Sequence, residues 1–260
     1  MRKNEILTAF FIAKKNIIKN KNSLLFTILI ISLGFISSII IYGVLQDVSY
    51  DLQENFIETN MGHVILEPYE NQDKIENVGN VVEKIKILPN ILGVAKITKK
   101  SARIYDEDEN YIDTQILVIN PKEFSEVSVI DNIIERGDFL YKGENDKILM
   151  GCVNIESCNE IKAFDTINLD VGEEARIVSN GYPETFLTLK GIYDHRYIEI
   201  EATSYINEET AKMVFSDYDS AKADQIIILL PKREYASETI EELSKMNLNV
   251  KISDWAEKSS

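Results

Sequence analysis

Histidine and cysteine are nearly missing: the 260 residues hold two of each, His63 and His195 against Cys152 and Cys158. Neither histidine stands near a cysteine or near the other, so the three or four ligands of a zinc site have no source in the sequence. Two cysteines six positions apart, in CVNIESC, are too few for a disulfide framework; an oxidising compartment could bond them, or they serve as small buried residues. No Gly-rich phosphate loop is present, since Gly172, Gly181 and Gly191 lie too far apart to make one, and nucleotide binding by this chain is not supported. There is no Gly-x-Ser-x-Gly elbow for a hydrolytic nucleophile. Asp194 and His195 are sequence neighbours, which in a strand point to opposite faces, so a surface turn is expected there rather than an acid–base pair. Glu199 and Glu201 alternate with Ile198 and Ile200, the pattern of a half-exposed strand rather than of a carboxylate dyad. No catalytic residue, cofactor or metal is expected.

Charge is absent from one long stretch. Residues 24–45, opening on Leu24 and closing on Leu45, read LLFTILIISLGFISSIIIYGVL. At 1.5 Å per residue such a helix covers roughly 33 Å, enough to cross the ~30 Å hydrocarbon core of a bilayer. A cleaved signal peptide has a shorter apolar core of about 7–15 residues and a small-x-small cleavage site, and YGVLQD at 42–47 offers none. A retained transmembrane helix over 23–45 is therefore expected. Gly34 and Gly43 within it suit close helix packing.

The flanks set the direction. Arg2, Lys3, Lys14, Lys15, Lys19 and Lys21 precede the span against the single acid Glu5, whereas Asp47, Asp51 and Glu54 come after it. Basic flanks stay in the cytoplasm, which places the remainder outside. The leader takes six basic residues and one acidic residue out of the chain's 28 and 43, so residues 23–260 carry a net charge of −20. So acidic a domain excludes nucleic acid as a partner. Within residues 1–22, Ile6, Leu7, Phe10, Phe11, Ile17 and Ile18 recur at near-helical spacing, with Lys14 and Lys15 between the two clusters. That pattern suits either an amphipathic helix on anionic inner-leaflet lipid or a plain solvated flank.

Beyond the span, Val48, Leu52 and Phe56 extend the helix to about Thr59, and Gly62 breaks it. A strand is expected over 63–67 up to Pro68, then an amphipathic helix over 73–88 stopped by Pro89. Strands over 91–105 and 111–119 flank the polar run DEDEN at 106–110, which lacks the glycine and final glutamate of an EF-hand loop and reads as a solvated hairpin tip. Residues 132–218 change to short strands at 148–151, 166–170, 175–178 and 185–193, with Asn180-Gly181 as the strongest turn dipeptide and helices near 155–164 and 207–214. A strand over 225–230, a helix over 235–246 and a strand over 249–253 close the chain as a β-α-β unit that mirrors 63–105 in pattern.

The order of these features resembles the FtsX/MacB-like permease subunits of ABC transporters, especially the lipoprotein-releasing type. The resemblance rests on the basic leader, SLG at 32–34, GHVILEP at 62–68, LPNILGV at 88–94, VINP at 118–121, IERG at 134–137, ILMG at 148–151, FDTINL at 164–169, LKGIY at 189–193 and SDWAE at 253–257. Each motif is weak alone, but they keep the family's order across nearly the whole chain. The resemblance implies an α+β fold: one transmembrane helix, then a two-lobed extracytoplasmic domain. A porter-like α/β lobe would comprise 46–130 and 220–255, with a β-rich lobe inserted at 131–219 and a tail at 256–260. It further implies a non-catalytic subunit in the cell membrane, paired with a second permease, surrounded by membrane lipid and driven by a separate cytoplasmic ABC ATPase, for export or lipoprotein release. The family continues into three more spans, so a chain ending at Ser260 is expected to be a fragment, a split gene product or a descendant that keeps the outer domain. The other class of function open to it is a single-pass anchored binding module with no ATPase.

Overall fold

The computed structural model describes residues 8–12, 15, 19, 21–57, 59, 62–158, 165–195 and 197–255. The chain divides into two compact units, Met1–Glu54 and Asn55–Ser260. The first is dominated by helix α1 (Lys21–Phe56), one uninterrupted rod of 36 residues. Its segment Leu25–Gln46 has a mean hydropathy of 2.5 and none of it is buried. Phe26, Leu29, Phe35, Ile39, Tyr42 and Leu45 are all more than half exposed, and they point in every direction around the axis. An apolar surface on all sides is stable only in lipid or inside a larger apolar assembly.

The second unit begins with β1 (Val64–Glu67), α2 (Val78–Lys86), β2 (Gly93–Tyr105), β3 (Tyr111–Ile119) and α3 (Pro121–Ser125). Next come β4 (Ile134–Gly137), β5 (Lys147–Gly151), β6 (Glu174–Val178), β7 (Thr185–Tyr193), α4 (Ile198–Glu201), β8 (Thr203–Asn207) and α5 (Glu208–Val214). The chain then closes with β9 (Gln225–Leu229), α6 (Ala236–Lys245) and β10 (Lys251–Asp254). At the termini of this unit the order β10-β1-β9-β2 is antiparallel throughout. β1 and β2 thus run parallel with β9 between them, and β9 and β10 run parallel with β1 between them. Two split β-α-β units interleave in this way to give the ferredoxin-like arrangement, with everything from β3 to α5 inserted between its second and third strands. Helix α2 buries Val78, Val81, Val82 and Ile85, a single stripe, against Val64, Leu66, Val94, Ile226 and Ile228 of the sheet. Nine residues do not hold a helix in water, and each buried aliphatic side chain adds about 1.5–3 kcal/mol.

The inserted strands form a closed ring. β2 pairs β3, β3 pairs β8, β8 pairs β5, β5 pairs β7, β7 pairs β6, and β6 returns to β2. Six strands so closed make a small barrel filled by its own side chains. Ala102, Ile104, Ile112, Ile116, Ile148, Met150, Ala175, Ile177, Leu187, Leu189 and Ile206 are all buried in one cluster, and along each strand they occupy alternate positions. The opposite face of β3, β5 and β8 sends Leu117, Ile119, Leu149 and Tyr205 into a second cluster with Ala95, Ile97, Phe124 and Tyr193. β2, thirteen residues long, belongs to both sheets: Gly93–Ile97 pair with β9, and Arg103–Tyr105 pair with β6.

Several sequence expectations are corrected. The helix expected over 73–88 is confined to Val78–Lys86, because Ile75 is drawn into a bridge with Ala223. The strand expected over 166–170 reduces to one bridge between Ile155 and Ile167. Residues 155–158 form that bridge and a turn rather than a helix, after a 3-10 turn over Cys152–Asn154, and 159–164 lie outside the described residues. The alternating Ile198–Glu201 is not a strand but a single helical turn. A tertiary partner holds it: the single proton of the Tyr193 hydroxyl is shared between Ile200 O within the turn (2.7 Å) and Thr203 O just after it (2.6 Å). The hairpin tip is not merely solvated. Asp106 is 5% exposed and accepts from the backbone N–H groups of Asp108, Asn110 and Asn168 and from Asn110 Nδ2, which pull its carboxyl below the usual range against the effect of burial.

Candidate functional site

Among the residues singled out in the span, Gly34 and Gly43 both lie within α1 with nothing within 4 Å of the position a Cβ would take. Either is free to receive a neighbouring helix. Ser38 Oγ donates to Gly34 O (2.9 Å). Leu24 and Leu45 fall inside the same rod, and Lys21 is its first residue. Lys15 and Lys19 are helical, and Lys14 lies outside the described residues. Residues 8–12 are helical and exposed, including Phe10 and Phe11 at 74% and 71%.

A set of long-range polar contacts holds the first residues of the domain. Ile57 is buried with Ile65 and Trp255. Gly62 N donates back to Ile57 O (2.8 Å), and Gly62 adopts φ +59°. A left-handed glycine making that long backward bond is how a helical run is closed. His63 N then donates to Ile228 O (2.8 Å) and starts β1. The turn has no room for a side chain, since a Cβ at Gly62 would lie 2.6 Å from Ile228 O. His63 is buried, its Nδ1 accepts from Leu230 N (3.1 Å), and burial lowers its pKa, opposed by Asp254 and aided by Arg233. It is a structural acceptor in its neutral form.

Thr59, fully buried, is held from two sides. Ser128 Oγ donates to its carbonyl (2.5 Å), and His195 Nε2 lies 3.1 Å from its Oγ1. His195 Nδ1 accepts from Tyr197 N (3.1 Å), so the neutral ring carries its proton on Nε2 and donates it to Thr59. His195 N donates to Glu201 Oε1 (3.2 Å). Glu201 is 8% exposed and its pKa is raised to about 7, first by burial, then by Asp194 and Glu135, with the His195 N–H acting the other way. Asn154 Nδ2 donates to Glu201 O (3.2 Å). His195 therefore stands half-buried in a clasp rather than in a free surface turn.

Thr59, His195 and Glu201 imitate a hydrolytic triad in composition but not in geometry. The carboxylate accepts from the backbone N–H of His195 and Nδ1 accepts from Tyr197 N, so the Glu201–His195 contact is not the carboxylate-to-ring bond of a triad. The arrangement fixes the chain entering the domain. Cys152 and Cys158, whose pairing the sequence left open, are joined as a disulfide with Glu135 Oε2 near both sulfurs. Sequence reasoning missed Thr59 and Ser128 as members of the clasp because their partners are remote in the chain, and Glu201 because its segment reads as an alternating strand while it forms a helical turn.

The sequence matches no protein-family model and no curated protein. Solved structures do match. The extracellular domain of the noncanonic ABC-type transporter YknZ from Gram-positive bacteria superposes with a TM-score of 0.52 at 11% identity, over 75% of this chain and 100% of that one. The domain has the MacB-like fold. The periplasmic region of MacB from Actinobacillus actinomycetemcomitans gives a TM-score of 0.51 at 11% identity, over 76% of this chain and 89% of that one. The MacB-like domain is mixed α/β and sheet-rich, and among the described residues one helix long and apolar enough to cross a membrane precedes it in the chain. In this MacB-like domain the packing of Ile57 and the clasp on Thr59 both lie within the first five residues after its N-terminal boundary at Asn55.

Proposed function

We propose that the chain is a permease subunit, or part of one, of an ABC-type transporter, and that it carries motion produced by a separate cytoplasmic ATPase into its outer domain. The observation that carries this reading is a MacB-like fold that follows a 22-residue apolar segment in the sequence. Both neighbours above that fold are the outer domains of ABC-type transporters or of MacB. The 36-residue α1 supports it further, because a helix unbroken through Phe56 is stiff along its axis, and the residues immediately after it are packed under Trp255 and clasped by Ser128 and His195. The basic flank of Lys14, Lys15, Lys19 and Lys21 sets the N-terminus in the cytoplasm and the acidic domain outside. The two lobes are the ferredoxin-like sheet and the barrel. A pair of such chains, with lipid around their spans, forms the membrane part, and the subunit itself performs no chemistry. Its task is export or the release of a lipid-anchored molecule.

Capture from detergent extract tests the reading: an ATP-binding-cassette subunit should co-purify with the tagged chain, and its consistent absence would favour an anchored binding module. A flexible Gly-Ser insertion after Leu45 should abolish transport while membrane insertion and folding persist. Transport that survives the insertion removes the mechanical role of α1. Protease added to intact cells should digest the domain, and protection until the cells are opened would reverse the orientation.

A further inference from the structure

One face of the barrel carries a row of three aromatic side chains and one arginine. The register sets Tyr111 of β3 opposite Tyr105 of β2, Tyr105 opposite Arg176 of β6, and Arg176 opposite Phe186 of β7. Four neighbouring strands at ~4.8 Å spacing make the row about 14 Å long. These side chains are the outward set, alternating with the buried Ile104, Ile112, Ile177 and Leu187. Tyr111 and Phe186, at its two ends, are 44% and 56% exposed. Arginines stack on both tyrosines: the Arg103 guanidinium lies 4.2 Å from the Tyr111 ring centre, and that of Arg176 lies 4.2 Å from the Tyr105 ring centre. Beside the row lies a groove of about 400 Å³, lined by Arg103, Tyr105, Asp113, Gln115, Val178 and Asn180 among others.

The charges around the row are one-sided. Both arginines are already held by acids, Arg103 bidentately by Asp113 (3.0 and 3.3 Å) and Arg176 by Glu109 and by Glu184 (3.4 Å). An incoming anion therefore meets neutralised guanidinium groups. The side chains of Asp113, Glu109 and Glu184 remain 69%, 71% and 58% exposed, three acids to the two arginines, and the exposed Glu107 and Asp108 extend the acidic rim at the hairpin tip. Tyrosine, phenylalanine and arginine are the residues that interfaces concentrate, because they bring large contact area with little loss of freedom. A second copy of this chain is disfavoured, since an isologous contact would set the acidic rim against itself.

We propose that this face is a docking surface for a basic, extended segment of another polypeptide, whose lysines or arginines meet Glu109, Asp113 and Glu184 while its apolar side chains lie on Tyr111 and Phe186. The surface stands apart from the clasp on Thr59, and its occupation does not depend on the transport reading.

The full-length chain in phosphatidylcholine nanodiscs tests the proposal by fluorescence anisotropy with a labelled nonapeptide of alternating lysine and tyrosine. Empty nanodiscs and a glutamate-tyrosine peptide serve as blanks. The parent should bind the basic peptide and not the acidic one, with affinity falling as salt rises. Glu109→Gln/Asp113→Asn/Glu184→Gln should weaken binding at least tenfold, and Tyr111→Ala/Phe186→Ala at least fivefold, with Trp255 emission unchanged in both. The control Glu70→Gln/Glu83→Gln/Glu238→Gln removes three exposed acids elsewhere and should change affinity less than threefold. An equal loss in the control reduces the effect to overall acidity and overturns the proposal. So does failure of the parent to bind the peptide. Self-association that Phe186→Ala abolishes and the peptide cannot displace would give the face to a second copy instead.

Discussion

Gly62→Ala is the sharpest perturbation of the domain's entry. Two separable effects act there. Alanine at φ +59° costs about 1 kcal/mol relative to glycine, since an L side chain is strained in the left-handed region. The added Cβ would stand 2.6 Å from Ile228 O, so the start of β1 must move away from β9, and overpacking of that kind costs about 1–3 kcal/mol. Gly143→Ala isolates the first effect, for its φ is +87° and nothing lies within 4 Å of the new atom. With about 2–4 °C of melting temperature per kcal/mol for 150–250 residues, Gly62→Ala, at about 2–4 kcal/mol in all, should lower the midpoint by roughly 4–16 °C and Gly143→Ala by roughly 2–4 °C. The single tryptophan makes the assay local, because Trp255 packs on Ile57 and Ile65, next to the altered turn. Its emission should shift red in Gly62→Ala even below the midpoint. Equal losses in the two variants, or an unmoved Trp255 spectrum, would refute the claim that the Gly62–Ile228 contact holds the turn.

Tyr193→Phe deletes the hydroxyl that holds two carbonyls in a fully buried place, and should cost about 2 kcal/mol, read as a melting decrease of roughly 4–8 °C. Glu201 has a folded pKa of about 7 against an ordinary 4.5, so the folded chain holds more protons between those values. Stability from this group is fully present below about pH 4.5 and falls as pH rises to about 7, by on the order of 3 kcal/mol at most. Denaturation of Glu201→Gln across that window should lack this slope, and a slope equal to the parent's would place the raised pKa elsewhere. Asp106 runs the opposite way: its lowered pKa gives stability present above about pH 4 and lost in acid, so Asp106→Ala should flatten the acid limb and speed amide exchange at Asn110 and Asn168. Replacing both Cys152 and Cys158 by alanine opens a short loop and should cost about 2 kcal/mol in chemical denaturation.

How much sequence could reveal depended on how locally each element is determined. The span, the hairpin from β2 to β3 and helix α5 were legible, because unbroken hydropathy, period-two alternation and an Asn207 side chain accepting from Thr210 N are all written within a dozen residues. β1, β9 and β10 were legible as elements, yet their interleaving depends on pairings such as Ile65 with Ile227, too remote for any local pattern to specify. Alternation misled at Ile198–Glu201, where Tyr193 closes a helical turn that the four residues alone do not favour. The acidic tip was misjudged for a like reason: one of the donors that hold Asp106 is the remote Asn168 N. The clasp on Thr59 was the least visible, since its two partners arrive from positions 128 and 195 through the whole of the inserted barrel.

Membership of β2 in two sheets has a practical meaning for anyone who would dissect this molecule. No cut in the chain can separate the ferredoxin-like sheet from the barrel, because the same thirteen residues would have to be given to both pieces. Whatever force tilts one end of that strand is delivered as a tilt at the other, in the manner of a beam built into two walls.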